Sequence, residues 1–167
     1  MDKEYEIRLA NQSDIQQIAE LYVESWNRTY QGLIPQSYLN NLTVGSLCKR
    51  WGDYIKEPKQ GIFVAVNHKK VLGFGAFKPY HRIDDCIYVD SLHVNKSFQG
   101  KGIGSAIINK IYEVGKEQSY GKMSICIVKG NDRARELYVK LGAKHFRDKV
   151  DDFTGETTYS EILTWDL

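Results

Sequence analysis

Three glycines lie close together in the chain, at positions 100, 102 and 104, and Lys101 lies between the first two. They follow a segment with the pattern of a strand and precede an apolar pattern of helical period. A strand, a glycine-rich turn and a helix in this order leave several unpaired backbone amides at a helix N-terminus, where the helix dipole adds positive potential. The stretch therefore predicts a binding site for the phosphate groups of a ligand.

Two common phosphate-binding patterns fit this stretch poorly. The P-loop requires Ser or Thr directly after Gly-Lys, but Gly102 follows Lys101. The dinucleotide-binding fingerprint requires a third glycine at position 105, where the chain has Ser105. From the residues alone, a tight turn that binds no ligand stays open as an alternative.

The elements that must position this turn alternate between strand and helix patterns. Before the turn, the sequence predicts a strand in YEIRLA, a helix in NQSDIQQIAELYVESW, a helical region between Pro35 and Glu57, a hairpin in GIFVAVNHKKVLGFGAFKPY and a strand in CIYVDSLHV. Ser13 at the start of the first helix, with Gln16 three residues later, predicts a capping box.

After the turn, the alternation continues to the end of the chain. The patterns predict a helix from about Gly102 to Gln118, an apolar strand in MSICIV, a helix in NDRARELYVKLGA that Asn131 caps, and two strands joined near Thr154 and Gly155. The apolar strand does not alternate, which is typical of a sheet interior covered on both faces.

Composition narrows the class of protein. The 167 residues are 42% hydrophobic and 12% aromatic, which predicts one globular domain over residues 1–167. A net charge of +2 gives no indication of a strongly basic surface that would bind nucleic acid or an anionic membrane. The sequence has no apolar run of a signal peptide or a membrane span, and its three cysteines suit neither a disulfide framework nor a metal site. We therefore expect a soluble cytoplasmic protein without a metal.

Two motifs and the order of elements resemble the GNAT superfamily of acyl-CoA-dependent N-acyltransferases. Residues 99–104, Gln-Gly-Lys-Gly-Ile-Gly, match its Gln/Arg-x-x-Gly-x-Gly/Ala motif, and NDRARELYVKLGA matches its second signature. The segment SWNRTYQGLIPQSYL is similar to a bacterial subgroup. The resemblance implies a mixed α/β fold, with about four helices around a mostly antiparallel sheet of six or seven strands. Strands four and five of that sheet splay apart.

The resemblance also implies acetyl-CoA as co-substrate. The backbone at the end of the fourth strand would pair with the pantetheine arm, and the amides of the glycine turn would bind the diphosphate. Residues of the helix after the fifth strand would contact the cofactor as well. The implied cofactor-binding residues are Leu92, His93, Val94, Gln99, Gly100, Lys101, Gly102, Ile103, Gly104, Ser105, Asn131, Ala134 and Tyr138.

The implied chemistry needs an acid for the leaving thiolate and a base for the attacking amine. Tyr138 is the expected acid because of the motif, although the periodicity alone favours a core tyrosine. Many relatives carry a glutamate on the fourth strand where this chain has Tyr88, so Asp90, two residues further on the same strand face, is the candidate base. By the same alternation His93 is predicted to face the other way.

The predicted activity is transfer of the acetyl group to a primary amine of a small molecule. Aromatic residues, Trp26, Tyr30 and Tyr80, are the candidates for binding that acceptor. An N-acetyltransferase for protein N-termini or lysines stays open, and so does a non-catalytic acyl-CoA-binding regulatory module, which Tyr88 favours. The sequence gives no support for nucleic-acid or membrane partners and is compatible with a homodimer.

Overall fold

The structure is a computed structural model and describes residues 4–153 and 155–167. Its seven strands are β1 (Glu6–Leu9), β2 (Gly61–Asn67), β3 (Lys70–Pro79), β4 (Cys86–Val94), β5 (Lys122–Val128), β6 (Lys144–Phe153) and β7 (Glu156–Asp166). Its five α-helices are α1 (Ile15–Tyr30), α2 (Gln36–Asn40), α3 (Val44–Tyr54), α4 (Ile103–Glu117) and α5 (Asp132–Lys140). Short 3₁₀ turns at Gln12–Asp14 and Lys96–Phe98 precede α1 and the glycine turn.

The strands form one mixed sheet in the order β1-β2-β3-β4-β5-β7-β6. Among the described strand pairs only β4–β5 is parallel, so the predicted mostly antiparallel α/β fold is confirmed. Helices α1 and α3 cover one face of the sheet, and α4 and α5 cover the other. The predicted helical region between Pro35 and Glu57 divides into two helices, because the Thr43 side chain caps a new helix by accepting a hydrogen bond from the Ser46 amide.

The parallel pair is short. Strands β4 and β5 pair only over Cys86–Val89 and Lys122–Ile125. Beyond that point β4 continues along β3 and β5 continues along β7, so the two strands part and leave a gap in the middle of the sheet. The predicted splay of strands four and five is confirmed.

Strand β4 contains a bulge at Asp90. Val89 pairs with Phe77 and Ser91 pairs with Ala76, so Asp90 is the extra residue between them. A bulge interrupts the alternation of side chains. His93 therefore lies on the same face as Tyr88, against α1, and the prediction that it faces the other way was wrong.

The start of α1 differs from the predicted capping box at Ser13 and Gln16. Asn11 is the capping residue of the 3₁₀ turn before α1, and its side chain accepts a hydrogen bond from the Ser13 amide. The Asp14 carboxylate completes the box by accepting from the Asn11 amide and pairs with Arg8, 2.7 Å away. The box forms two residues earlier than predicted because the chain enters the 3₁₀ turn before the α-helix.

The predicted turn near Thr154 and Gly155 and the predicted domain over residues 1–167 each include residues that the structure does not describe. The turn between β6 and β7 includes Gly155 as predicted, but Thr154 is not described, and neither are the first three residues of the N-terminus. Within residues 4–153 and 155–167, no helix is long and apolar enough to cross a membrane.

Candidate active site

A cavity of about 670 Å³ fills the gap between β4 and β5. It runs from the glycine turn, past α5, to the aromatic residues of α1. The structure brings most of the predicted site residues to its wall: Trp26, Tyr30, Asp90, Leu92, His93, Val94, Gln99, Gly100, Gly102, Ile103, Gly104, Ser105, Asn131, Ala134 and Tyr138. Lys101 and Tyr80, by contrast, do not line it.

The glycine turn forms one end of the cavity. Gly100 and Gly102 have φ angles of 78° and 81°, a left-handed conformation that residues with a Cβ atom rarely adopt. In the described part of the chain the amides of residues 100–105 donate no backbone hydrogen bond, and the first helical one runs from Ala106 to the Gly102 carbonyl. The turn thus presents a row of unpaired donors at the N-terminus of α4, as a phosphate site requires.

Lys101 is exposed on the outer side of this turn. Its ammonium lies 5.2 Å from the centre of the Phe98 ring, and that of Lys70 lies 5.1 Å from the same ring. The Gln99 side chain turns back and donates a hydrogen bond to the Val94 carbonyl, 3.3 Å away. Gln99 therefore ties the turn to the end of β4.

The end of β4 forms one long wall. On one side Leu92, His93 and Val94 pair with β3. Beyond the end of the β4–β5 pairing, their other backbone edge has no strand partner among the described residues. An extended ligand with amide groups can add to such an edge as a strand does.

Tyr138 lies in the opposite wall, on α5, with only 6% of its surface exposed. Its ring packs edge-on against Trp165, with the ring centres 6.1 Å apart. Burial, together with the nearby Tyr30 hydroxyl, raises the pKa of Tyr138, so the phenol keeps its proton at neutral pH. Its hydroxyl is therefore able to donate a proton or a hydrogen bond.

Asn131 has a different role from the predicted cap. It stands at the N-cap position of α5, but its side chain makes no capping hydrogen bond. It lies instead beside the hydroxyl of Tyr30, whose pKa burial raises to about 12. The residue thus belongs to the cavity wall.

Asp90 lies at the bulge, where β4 and β5 part. Its side chain is 14% exposed, and its carboxylate is 3.6 Å from the Lys78 ammonium. It lies near the Tyr54 hydroxyl: burial, and then the negative charge of Asp90, raise the pKa of that group. A carboxylate at this position can accept a proton from a ligand in the gap.

His93 belongs to the cavity wall and is buried, with 8% of its surface exposed. Its Nδ1 atom shares a hydrogen bond of 2.7 Å with the Ser25 hydroxyl, and its ring lies between those of Tyr22 and Phe74. Burial, with a smaller effect of Arg28, lowers the pKa of His93 to about 3. The imidazole is therefore uncharged at neutral pH and fixed in place by its neighbours.

Aromatic side chains enclose the end of the cavity opposite the glycine turn. Trp26 is their centre, with ring-centre distances of 5.1 Å to Tyr22, 4.6 Å to Tyr30 and 6.0 Å to Tyr38. Tyr80 lies outside this group and stacks on Tyr88 at 4.3 Å.

Cys126 and Arg50 are among the residues of the cavity wall that sequence reasoning missed. Cys126 of β5 faces the gap, and burial raises the pKa of its thiol. The other is Arg50 of α3, whose guanidinium lies over the Trp51 ring. The apolar run of β5 does not distinguish the two faces of the strand, so it could not indicate Cys126. Nothing in the local sequence of α3 indicates that Arg50 reaches a cavity formed mainly by other elements. Among the described residues, no group of His, Cys, Asp and Glu is arranged to hold a metal ion.

Comparison with known proteins gives consistent matches. The model of the acetyltransferase (GNAT) family matches residues 15–143. The uncharacterized N-acetyltransferase YuaI of Bacillus subtilis is 29% identical over 130 residues, which cover 75% of this chain and 72% of that protein. The crystal structure of an N-acetyltransferase from Staphylococcus aureus superposes with a TM-score of 0.79 at 22% identity, covering 97% of this chain and 98% of that one. The PaiA N-acetyltransferase of Thermoplasma acidophilum, solved in complex with coenzyme A, has a TM-score of 0.76 at 20% identity, with 96% and 98% of the chains covered.

Proposed function

The chain belongs to the acetyltransferase (GNAT) family of acetyl-CoA-dependent N-acetyltransferases, and we propose that it acetylates a primary amine of a small molecule. The observation that carries the proposal is the gap beyond Val89 and Ile125, which joins the glycine turn to Tyr138 in one cavity. Because the described strands form one sheet around this gap, we infer that residues 1–167 make up a single acetyltransferase domain.

The cavity wall offers suitable partners for each part of acetyl-CoA. The unpaired amides of residues 100–105 would bind the diphosphate, with the potential of the α4 N-terminus adding to the attraction. The open edge of Leu92–Val94 would pair with the amides of the pantetheine arm. The thioester would then lie near the Tyr138 hydroxyl, with Asn131 and Ala134 beside the arm. Lys101, at the rim, would add only long-range attraction.

Acetyl transfer then proceeds by direct attack of the amine on the thioester carbonyl. The amine nitrogen forms the new C–N bond, and a main-chain amide near Val94 stabilises the oxyanion of the tetrahedral intermediate. Asp90 takes the proton that the nitrogen loses, directly or through a water molecule. As the C–S bond breaks, the Tyr138 hydroxyl donates its proton to the thiolate of coenzyme A, and the phenolate is reprotonated from solvent.

The enclosed aromatic end of the cavity favours a small acceptor. Trp26 and its aromatic neighbours limit the space beyond the thioester, which suits a small amine better than a folded protein surface. Tyr80 stacks on Tyr88 and would not contact the acceptor itself. Its proposed role is to hold Tyr88 in position at the site.

The test measures binding and turnover separately in the wild type and in Tyr138→Phe. Calorimetric titration with acetyl-CoA, with ATP and NAD as controls, is expected to give saturable binding of acetyl-CoA alone in both proteins. Release of coenzyme A thiol in the presence of a panel of amines measures turnover. The loss of the proton donor should lower kcat of the variant by about 10²-fold or more, while the affinity for acetyl-CoA stays nearly unchanged.

Two outcomes would contradict the proposal. Absence of acetyl-CoA binding to the wild type would remove the acetyltransferase function for this cavity. An unchanged kcat in Tyr138→Phe would remove Tyr138 as the acid but leave binding at the glycine turn intact. Asp90→Asn in the same assay tests the base, and its expected defect is likewise in kcat rather than in acetyl-CoA affinity.

A further inference from the structure

Arg50 lies at the acceptor end of the cavity in a fixed position. Its guanidinium carbon is 4.9 Å from the centre of the Trp51 ring and 5.7 Å from that of Tyr22. Both rings are buried in the core between α1, α3 and the sheet, with 0% and 2% of their surface exposed. Stacking on two buried aromatic rings restricts the exposed side chain. The guanidinium also hydrogen-bonds the Tyr22 hydroxyl, which leaves its other N–H groups available.

No carboxylate of the described residues neutralises this charge. Nearby charged groups have partners of their own: Arg28 pairs with Glu24, Lys49 with Asp53, and Lys78 with Asp90. Arg50 forms none of the ion pairs found within residues 4–153 and 155–167. A guanidinium that lines a cavity, and that forms no ion pair among the described residues, can bind a planar anion such as a carboxylate.

Trp26 adds a second unused donor at the same end. It lines the cavity, and its buried indole N–H has no hydrogen-bond partner among the described residues. An unsatisfied buried donor is costly. A ligand that brings oxygen atoms to this end could satisfy it.

Asp90 places a negative charge in the same region. The Tyr54 hydroxyl lies near both charged groups, since Asp90 raises its pKa and Arg50 lowers it, each acting in addition to the larger effect of burial. The acceptor end thus carries a fixed positive group on α3 and a negative group on β4. This arrangement is complementary to a molecule that carries an amine and a carboxylate.

We propose that the acceptor is an amino acid or a similarly small amine that carries a carboxylate, and that Arg50 binds this carboxylate. The inference rests on the proposed acetyltransferase function and names the substrate class of that site. Bound in this way, the acceptor would direct its amine away from α3 toward Asp90 and the thioester. Arg50 is then a specificity-determining residue, and it takes no part in proton transfer.

The test compares acceptors that differ only in the negative charge. The twenty proteinogenic L-amino acids are assayed against their α-amides by release of coenzyme A thiol at saturating acetyl-CoA. For the best acceptor we expect kcat/KM of the acid to exceed that of its amide by at least tenfold, since a charge-assisted bidentate contact is lost in the amide. Arg50→Gln should lower kcat/KM for the acid by about 10- to 100-fold, mainly through KM, and leave the amide nearly unaffected.

Two further variants separate binding of the carboxylate from general effects. Lys49→Gln removes a positive charge from the neighbouring position of α3, where the side chain is 82% exposed and does not line the cavity. It should leave kcat/KM unchanged for both the acid and the amide. Arg50→Lys keeps the charge but loses the stacked, two-pronged geometry, so it should recover only part of the preference for the acid. Thermal unfolding of each variant verifies that it is folded.

The outcomes distinguish this proposal from the one on which it rests. Equal kcat/KM for acids and amides, faster turnover of amines without a carboxylate, or an equal loss for both substrates in Arg50→Gln would overturn the role of Arg50 and leave the acetyltransferase intact. If the enzyme bound acetyl-CoA but acetylated no amine that carries a carboxylate, the role of Arg50 would likewise be overturned. A wild-type protein that bound no acetyl-CoA would overturn both proposals.

Discussion

Burial has opposite effects on the pKa values of Tyr138 and His93, and both effects leave the side chain uncharged. It raises the pKa of the Tyr138 phenol, which therefore keeps its proton. It lowers the pKa of the His93 imidazole to about 3, which therefore stays deprotonated. The first keeps on Tyr138 the proton that a donor must have, although a raised pKa also makes the phenol a weaker acid. The second makes His93 a packing residue that fixes Ser25 and the aromatic rings of α1.

The depressed pKa of His93 predicts a dependence of stability on pH. In the unfolded chain the imidazole takes up a proton near the ordinary histidine pKa of 6.5, whereas the folded protein resists protonation until about pH 3. The unfolded state thus binds more protons between these values. The contribution of His93 to stability is therefore complete above pH 6.5 and is lost as the pH falls, by up to about 1.4 kcal/mol per pH unit.

His93→Gln tests this assignment. Denaturant unfolding at a series of pH values between about 7 and 3.5 should show a smaller decline in the free energy of unfolding for the variant than for the wild type. The variant will be less stable at neutral pH, because it disturbs a buried contact with Ser25, so the quantity to compare is the slope. Parallel slopes in the two proteins would mean that His93 takes up its proton in the folded state.

At the scale of the elements, the position of α4 against the sheet sets the position of the glycine turn. The helix packs closely because β3 has Gly75 at the contact, where a built Cβ atom would lie only 2.4 Å from Cγ2 of Ile107. Ile107 is fully buried, and its β-branched side chain cannot turn away without disturbing the core. One missing methyl group in β3 thus allows the helix to hold the turn beside the end of β4.

Gly75→Ala should therefore be destabilising although alanine is the smallest possible addition. Overpacking of a well-packed core costs about 1–3 kcal/mol, and displacement of α4 should also weaken acetyl-CoA binding. Gly45→Ala, near the start of α3, is the matched control. A Cβ atom at Gly45 would have no atom within 4 Å, and alanine has a higher helix propensity than glycine. Chemical denaturation of both variants measures the difference, and equal stability of the two would show that α4 adjusts without cost.

The elements themselves were largely predictable, and the irregularities between them were not. Runs of β-branched and aromatic residues identified β2 and β3, and the helical period identified α4, because both patterns are local properties of the sequence. The bulge at Asp90 depends on which residues of β3 pair with β4, so the local pattern of β4 could not predict it or the direction of His93. The positions of Tyr80 outside the cavity and of Arg50 within it depend likewise on packing between elements that are distant in the chain.

At the scale of the whole molecule, the gap divides the sheet into two parts. One part is β1 to β4 with α1 and α3, and the other is β5, β7 and β6. Within the described residues the strands of the two parts pair only over Cys86–Val89 and Lys122–Ile125, while α4 contacts strands of both. The groups that would bind acetyl-CoA lie on both sides of the gap, with the edge of β4 on one side and Tyr138 on the other.

A ligand that bridges the two parts of the sheet should stabilise the whole fold. If acetyl-CoA binds only the folded protein, a concentration about 100 times its Kd adds about 2.7 kcal/mol to the free energy of unfolding, which corresponds to a rise in Tm of about 5–10 °C for a chain of this size. Thermal unfolding with acetyl-CoA, coenzyme A, ATP and NAD measures this shift, and the first two should act alike because they share the diphosphate and the pantetheine arm. In Gly102→Ala the added methyl group has open space, but the alanine backbone would have to adopt a φ of 81°. The turn should therefore rearrange, and acetyl-CoA at the same concentration should raise Tm by less than in the wild type. An equal shift with ATP would place the binding energy in the nucleotide alone, and the gap between β4 and β5 would then not be the site that holds the pantetheine arm.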